Sequence, residues 1–259
     1  MLSPAPSLLA LAASWLSILP APPTVMKYRI DQSLNQEIDA TGSGGAKEKI
    51  AFTTSSFVTV TLSDSAGGKT IRVIVDSIRG DSATPIPRAI LDSARGAEFR
   101  GFLDKSGKPT SLQPTGTVAA AVEVQSLLSD FFPWIRSGLR VGNAWADTTA
   151  KTNGAGPDSV TVRRESTYKV VAAETRASRK AVRVAQNFTT SVAGTQPTPQ
   201  GPARIEGTGR GTGSYYIGTD GRYLGGSWQQ KSSLKISGSF APQPLPITIA
   251  HKTEVSTIK

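Results

Sequence analysis

The chain has no cysteine and a single histidine. The first absence excludes disulfides, thiolate zinc sites, cysteine nucleophiles and an acylated lipoprotein cysteine. The second excludes metal sites built from several imidazoles. Charge is also thin: charged residues make up 19% of the 259 residues, against roughly a quarter in average domains. What charge there is leans one way, with 29 basic against 19 acidic side chains and a formal net charge of +10. Such a balance draws a protein to nucleic acid, anionic membrane surfaces or acidic subunits without choosing among them. Hydrophobic residues at 38%, with 25 glycines besides, suffice for a core and exclude wholesale disorder.

No charged residue precedes Lys27. Within that stretch Ser7 to Leu19 reads SLLALAASWLSIL, an apolar run bracketed by Pro4, Pro6, Pro20, Pro22 and Pro23. It matches the apolar region of a secretory signal and falls short of the ~20 residues that span a bilayer. Residues 1–26 are therefore expected to act as a signal-like or membrane-anchoring segment, and the protein to be exported to the periplasm or the extracytoplasmic membrane surface. A cleaved signal, a retained anchor carrying Trp15 and a buried N-terminal helix all stay open.

From there on the dominant period is two. Ile50, Phe52, Val58, Val60 and Leu62 alternate with Thr53, Ser55, Thr59 and Thr61, the pattern of a half-buried strand. Asp64 to Lys69 and Thr219 to Arg222 supply turn chemistry between such strands. Val160, Val162, Tyr168 and Val170 alternate with Arg163, Glu165 and Lys169, and Val182, Val184 and Phe188 with Arg179, Arg183 and Asn187. Leu245, Ile247, Ile249, His251 and Val255 make a last strand. Asn153 to Asp158 and Gly194 to Pro202 read as long hairpin loops. Residues 27–259 are expected to form one mainly β domain, a curved antiparallel sheet or half-barrel of nine or ten strands.

One segment breaks the period. Thr117 to Ile135 lacks glycine, ends where Pro133 forbids continuation, and gathers Glu123, Ser126 and Asp130 into a narrow polar stripe. A helix is predicted over 117–135, its apolar arc of Val118, Val122, Leu128, Phe131 and Phe132 lying in the concavity of the sheet. Those residues facing Val58, Val60 and Val184 are the candidate ligand groove.

Motifs that suggest catalysis fail on spacing. Gly67-Gly68-Lys69-Thr70 resembles the end of a phosphate-binding loop, but Ser63 stands where that loop needs glycine and a β-branched strand follows. Glu206 to Gly213 (EGTGRGTG) places glycine at every second position rather than as GxGxxG, which bares one face of a strand. His251 lies in phase with the oily face of its strand, and no nucleophile elbow accompanies it. Asp64, Asp81, Asp104 and Asp220 fall in turns, where Asp belongs for backbone reasons. No catalytic residue, metal ligand or cofactor is assigned, and the protein is expected not to be an enzyme.

The basic residues Arg163, Lys169, Arg179 and Arg183 are predicted to share one wet sheet face as a patch for an anionic headgroup or an acidic subunit. Nucleic acid is disfavoured, because Tyr168 and Phe188, the aromatics that would stack on bases, point to the oily face.

A long antiparallel sheet with one apolar helix in its concavity, on an exported chain, resembles the LolA/LppX type of periplasmic lipoprotein-carrier fold. More locally, EFRGFLDKSGKP around Gly101 to Gly107, FFPWIRSGLRVGNAW from Phe131 to Trp145 and GTGRGTGSYYIGTDGRYLGGSW resemble bacterial envelope proteins sharing a G-x-x-D-x-x-G hairpin and a later V-G-x-x-W hairpin. The resemblance implies a non-enzymatic protein that holds acyl chains between sheet and helix. The expected function is binding of an apolar ligand or of a membrane-associated partner. The alternative is a structural accessory subunit of a membrane protein complex, held by its N-terminal segment.

Overall fold

The computed structural model describes residues 23–128, 131–199, 201–239 and 243–258. Most of the expected signal-like segment, residues 1–22, lies outside the described residues. The strands are β1 (Thr24–Asp39), β2 (Lys47–Ser65), β3 (Gly68–Gly80), β4 (Glu98–Asp104), β5 (Gln113–Thr115), β6 (Ala144–Ala155), β7 (Asp158–Arg176), β8 (Arg179–Thr198), β9 (Gly201–Gly218), β10 (Tyr223–Gly238) and β11 (Leu245–Ile258). They form one open antiparallel sheet in the order β5-β4-β3-β2-β1-β11-β10-β9-β8-β7-β6. Among the described residues the count is eleven, not nine or ten. Part of the excess is the three-residue β5 at one edge. The presumed long loops are also mostly strand: β6 runs to Ala155 before β7 resumes at Asp158, and β8 and β9 stay paired out to Thr198 and Gly201. β1 begins at Thr24, inside the segment taken as leader, with Met26 opposite Val60.

The topology is two meanders joined at β1 and β11, so β5 and β6, consecutive among the strands, end at opposite edges. The chain between them must cross the sheet. The sheet curls to meet it. With strands about 4.8 Å apart, the nine steps from β4 to β6 would cover roughly 40 Å if flat. Instead Lys108 Nζ, just beyond β4, lies 2.7 Å from Asp147 Oδ1 of β6.

The crossing carries the helix, which is much shorter than predicted. α-Helix covers only Ala120–Val124, with a 3-10 turn over Gln125–Leu128, and a separate six-residue helix at Arg88–Ser93 joins β3 to β4. The reason lies in where the following side chains must go. Phe131 meets Tyr28 of β1, Phe132 meets Tyr223 of β10, and Trp134 meets Trp145 of β6 and Tyr168 of β7. Near-consecutive residues that reach strands this far apart need extended chain, since a helix advances only 1.5 Å per residue. Pro133 enforces it by excluding helical geometry at the residue before it. The short helix buries Ala120, Ala121 and Val124 and leaves Val122 exposed, 65% accessible.

These side chains fill one end of the concave face. Tyr28, Ile30, Val58, Val60, Leu128, Phe131, Val184, Tyr215 and Tyr223 are all buried in one cluster. The Tyr28 hydroxyl donates to the Tyr223 carbonyl at 2.8 Å, with the rings stacked 5.4 Å apart. Phe131→Ala should cost about 3–5 kcal/mol by leaving a cavity, whereas Val122→Ser should stay within about 0.5 kcal/mol, both read by urea denaturation. The β7–β8 turn offers a converse test. Ala177 and Ser178 have φ of 47° and 61°, a conformation that suits Asn-Gly. Replacing them with Asn-Gly should raise stability by about 1 kcal/mol in the same assay.

Candidate functional site

Away from the closed end, the register sets out the concave face as a series of rows. Behind the buried row of Val170, Val184, Tyr215, Val255 and Ile30 comes Tyr168, Gln186, Gly213, Trp228, Thr253 and Gln32. Next stand Ser166, Phe188, Gly211, Gln230, His251 and Leu34, then Arg164, Thr190, Gly209, Ser232 and Ile249. The last rows return to hydrocarbon: Val162, Val192, Leu234 and Ile247, then Val160, Ile205, Ile236 and Leu245. A polar belt thus separates a packed apolar end from an open apolar end.

A cleft and a trough open along these rows. The first, of about 240 Å³, lies between the crossing segment and β6 to β10, walled by Phe132, Trp134, Tyr168, Tyr215 and Trp228 and carrying Lys108, Asp147, Lys151 and Arg164. Its roof is held by three hydrogen bonds, two to the Ser106–Gly107 turn and one from β9. Trp134 Nε1 donates to the Ser106 carbonyl at 2.9 Å, the Ile135 amide donates to the Gly107 carbonyl at 2.9 Å, and the Tyr215 hydroxyl donates to the Trp134 carbonyl at 3.1 Å. Trp145 stacks on Tyr168 at 5.1 Å, and Arg136 lies over Trp145 at 5.0 Å and over Trp134 at 5.5 Å. Burial pushes the phenols of Tyr215 and Tyr168 up from their ordinary value of 10, so both stay protonated and able to donate. The second space is a trough of about 330 Å³ at the open end, lined chiefly by Ile38, Ala203, Ile205, Ile236, Leu245 and Ile247.

The candidate groove residues fall largely in the packed end. Val58, Val60, Val184, Leu128 and Phe131 are wholly buried and act as core, Val118 packs against them partly buried, and Val122 points away into solvent. Of the set, Phe132 borders the cleft, at its wall.

Arg163, Lys169 and Arg183 lie on the outer face, with Lys169 opposite Ala185, two residues along β8 from Arg183. Arg163 pairs with Glu165 at 2.9 Å, Arg179 with Asp220 at 3.0 Å and Arg183 with Glu174 at 3.0 Å. Lys169 lies six residues from Arg163 along β7, about 20 Å away. Three of the four charges are thus answered within the chain. His251 sits half-buried in the polar belt, its ring 3.4 Å from the Thr253 hydroxyl. Among the described residues, no group of three or more His, Asp or Glu could hold a metal ion.

The glycine repeat faces inward. Gly207, Gly209, Gly211 and Gly213 share the concave side, and the Phe188 ring occupies the space where a Gly211 side chain would stand. The cationic side chain of the inner face was missed, though its signal was present: alternation that sends Arg163 outward sends Arg164 inward with Val162, Ser166 and Tyr168.

No known family model matches the chain, and no curated protein matches it to significance. Among the described residues no helix is long and apolar enough to cross a membrane.

The Lys108–Asp147 pair joins strands near opposite edges, with side chains 34% and 16% accessible. A double-mutant cycle of Lys108→Met and Asp147→Asn should give a coupling of about 1 kcal/mol, in the range of well-ordered, partly exposed ion pairs. Additive effects would mean that the pair does not hold the curl.

Proposed function

We propose that the chain is a non-enzymatic exported envelope protein that receives an apolar or amphipathic ligand on the open half of its concave face. The observation that carries this reading is the trough in which Ile38, Ile205, Ile236 and Leu245 stay only half-buried beside the buried Ile247. An inner sheet face normally buries its apolar rows, and here the crossing segment covers only one end. The neighbouring aromatic cleft extends the surface with rings that offer large contact area at low entropic cost. The turn patterns of Glu98 to Pro109 and Phe131 to Trp145, which resemble those of bacterial envelope proteins, and the apolar run of Ser7 to Leu19 support the export part of this reading. An accessory subunit of a membrane complex is the competing reading.

The test is binding of a fluorescent fatty-acid probe to the purified chain, with native mass spectrometry of the protein as it leaves the cell. The reading expects bound probe, co-purified lipid, and at least tenfold weaker binding for Ile205→Glu with Ile236→Glu. Ile205 and Ile236 face each other across β9 and β10, so the paired glutamates lower the melting temperature, and the comparison is made where circular dichroism shows the variant still folded. A chain that takes up no probe and carries no lipid, but arrives with a protein partner, would favour the accessory subunit.

A further inference from the structure

We infer that Arg164 anchors the acidic head of an amphiphile whose hydrocarbon lies in the trough. The ligand class is then a carboxylate or phosphate bearing an alkyl chain. The inference rests on the trough reading and adds to it the sign and place of the ligand's charge.

Alternation puts Arg164 on the inner face of β7, opposite Thr149 of β6 and Thr190 of β8. A guanidinium in that position gives up hydration, a cost that an anion or hydrogen-bond acceptors normally offset. Arg164 has neither. Among the described residues no carboxylate pairs with it, and its Nε is buried without a hydrogen-bond partner. Its one strong contact is with Phe188, whose ring centre lies 3.7 Å from Cζ. Stacking engages the flat face of the guanidinium and leaves the fork of N–H donors, which matches carboxylate and phosphate oxygens.

The surroundings favour an anion. Of the charged groups lining the cleft, Lys108, Lys151 and Arg164 are cationic and Asp147 alone is anionic, already engaged by Lys108 at 2.7 Å. Hydrocarbon begins one row away. Two residues along the strands, about 7 Å, separate the Arg164 row from that of Val162, Val192 and Leu234. Over Gly209 the Gln230 amide bridges the hydroxyls of Thr190 and Ser232 at 3.3 and 2.7 Å, and the Leu234 side chain leans over Gly207. A head on Arg164 therefore directs its chain across this polar bridge and onto Leu234, toward Ile205 and Ile236.

Calorimetric titration of dodecanoate, dodecyl phosphate, dodecanol and inorganic phosphate, all below micellar concentration, tests the assignment. The intact chain should bind both acids at least tenfold more tightly than the alcohol, and the preferred acid identifies a fatty-acid or a phospholipid-like source. Arg164→Gln should bring both acids to the level of dodecanol while leaving dodecanol unchanged, which also shows the variant to be folded. Arg164→Lys should keep part of the preference, and Arg163→Gln, on the outer face, all of it. Equal affinity for alcohol and acids, or a preference that survives Arg164→Gln, overturns the anchor and leaves the trough reading intact. Inorganic phosphate bound as tightly as dodecyl phosphate overturns the amphiphile. If none of the three chains binds, the anchor and the trough reading fall together.

Discussion

The fold depends on one topological constraint: strands that follow each other in sequence, β5 and β6, stand at opposite edges of an eleven-stranded sheet. The segment joining them has to cross the concave face, and its side chains become the core. Phe131, Phe132 and Trp134 are spread over β1, β10, β7 and β6 in turn, so burying them draws the sheet around the crossing. The crossing donates hydrogen bonds to the Ser106 and Gly107 carbonyls and accepts one from the Tyr215 hydroxyl, so it is held from both sides. The same economy leaves the other end unfilled, because one short segment cannot cover strands of up to twenty residues.

Much of the sheet was legible in the sequence, for a simple reason. Period-two alternation survives translation into structure whenever one face is buried, so the inner positions of β2, β7 and β8 were readable residue by residue. Turn chemistry was less informative. Pro197 and Pro202 sit opposite each other near the end of the β8–β9 ladder, a place where proline is tolerated although it reads as loop. The helix was overextended because an apolar arc can equally describe chain that hands its side chains to several strands. Val122 shows the cost of that ambiguity: it belongs to the arc on paper and to solvent in the fold. The binding surface was hardest to place, since the best apolar residues of the sequence are those the core consumes.

The concave face therefore has a graded character that neither composition nor alternation could display. Packed hydrocarbon lies under the crossing, Gln186, Gln230, Thr253 and Ser232 form a belt, and half-exposed isoleucines close the series. Arg163, Arg179 and Arg183 of the outer face are matched by carboxylates, whereas Arg164 of the inner face meets the Phe188 ring. A surface with hydrocarbon at its mouth and polar groups behind suits a ligand with two ends.

The most direct measurement of where such a ligand lies is methyl NMR of the chain with a nitroxide-labelled stearate added. The account requires strong broadening at Ile205, Leu234, Ile236 and Ile247, with the methyls of Val58, Val60, Leu128 and Val184 left sharp. Broadening confined to the outer face, or none beyond that caused by a water-soluble nitroxide, would contradict it.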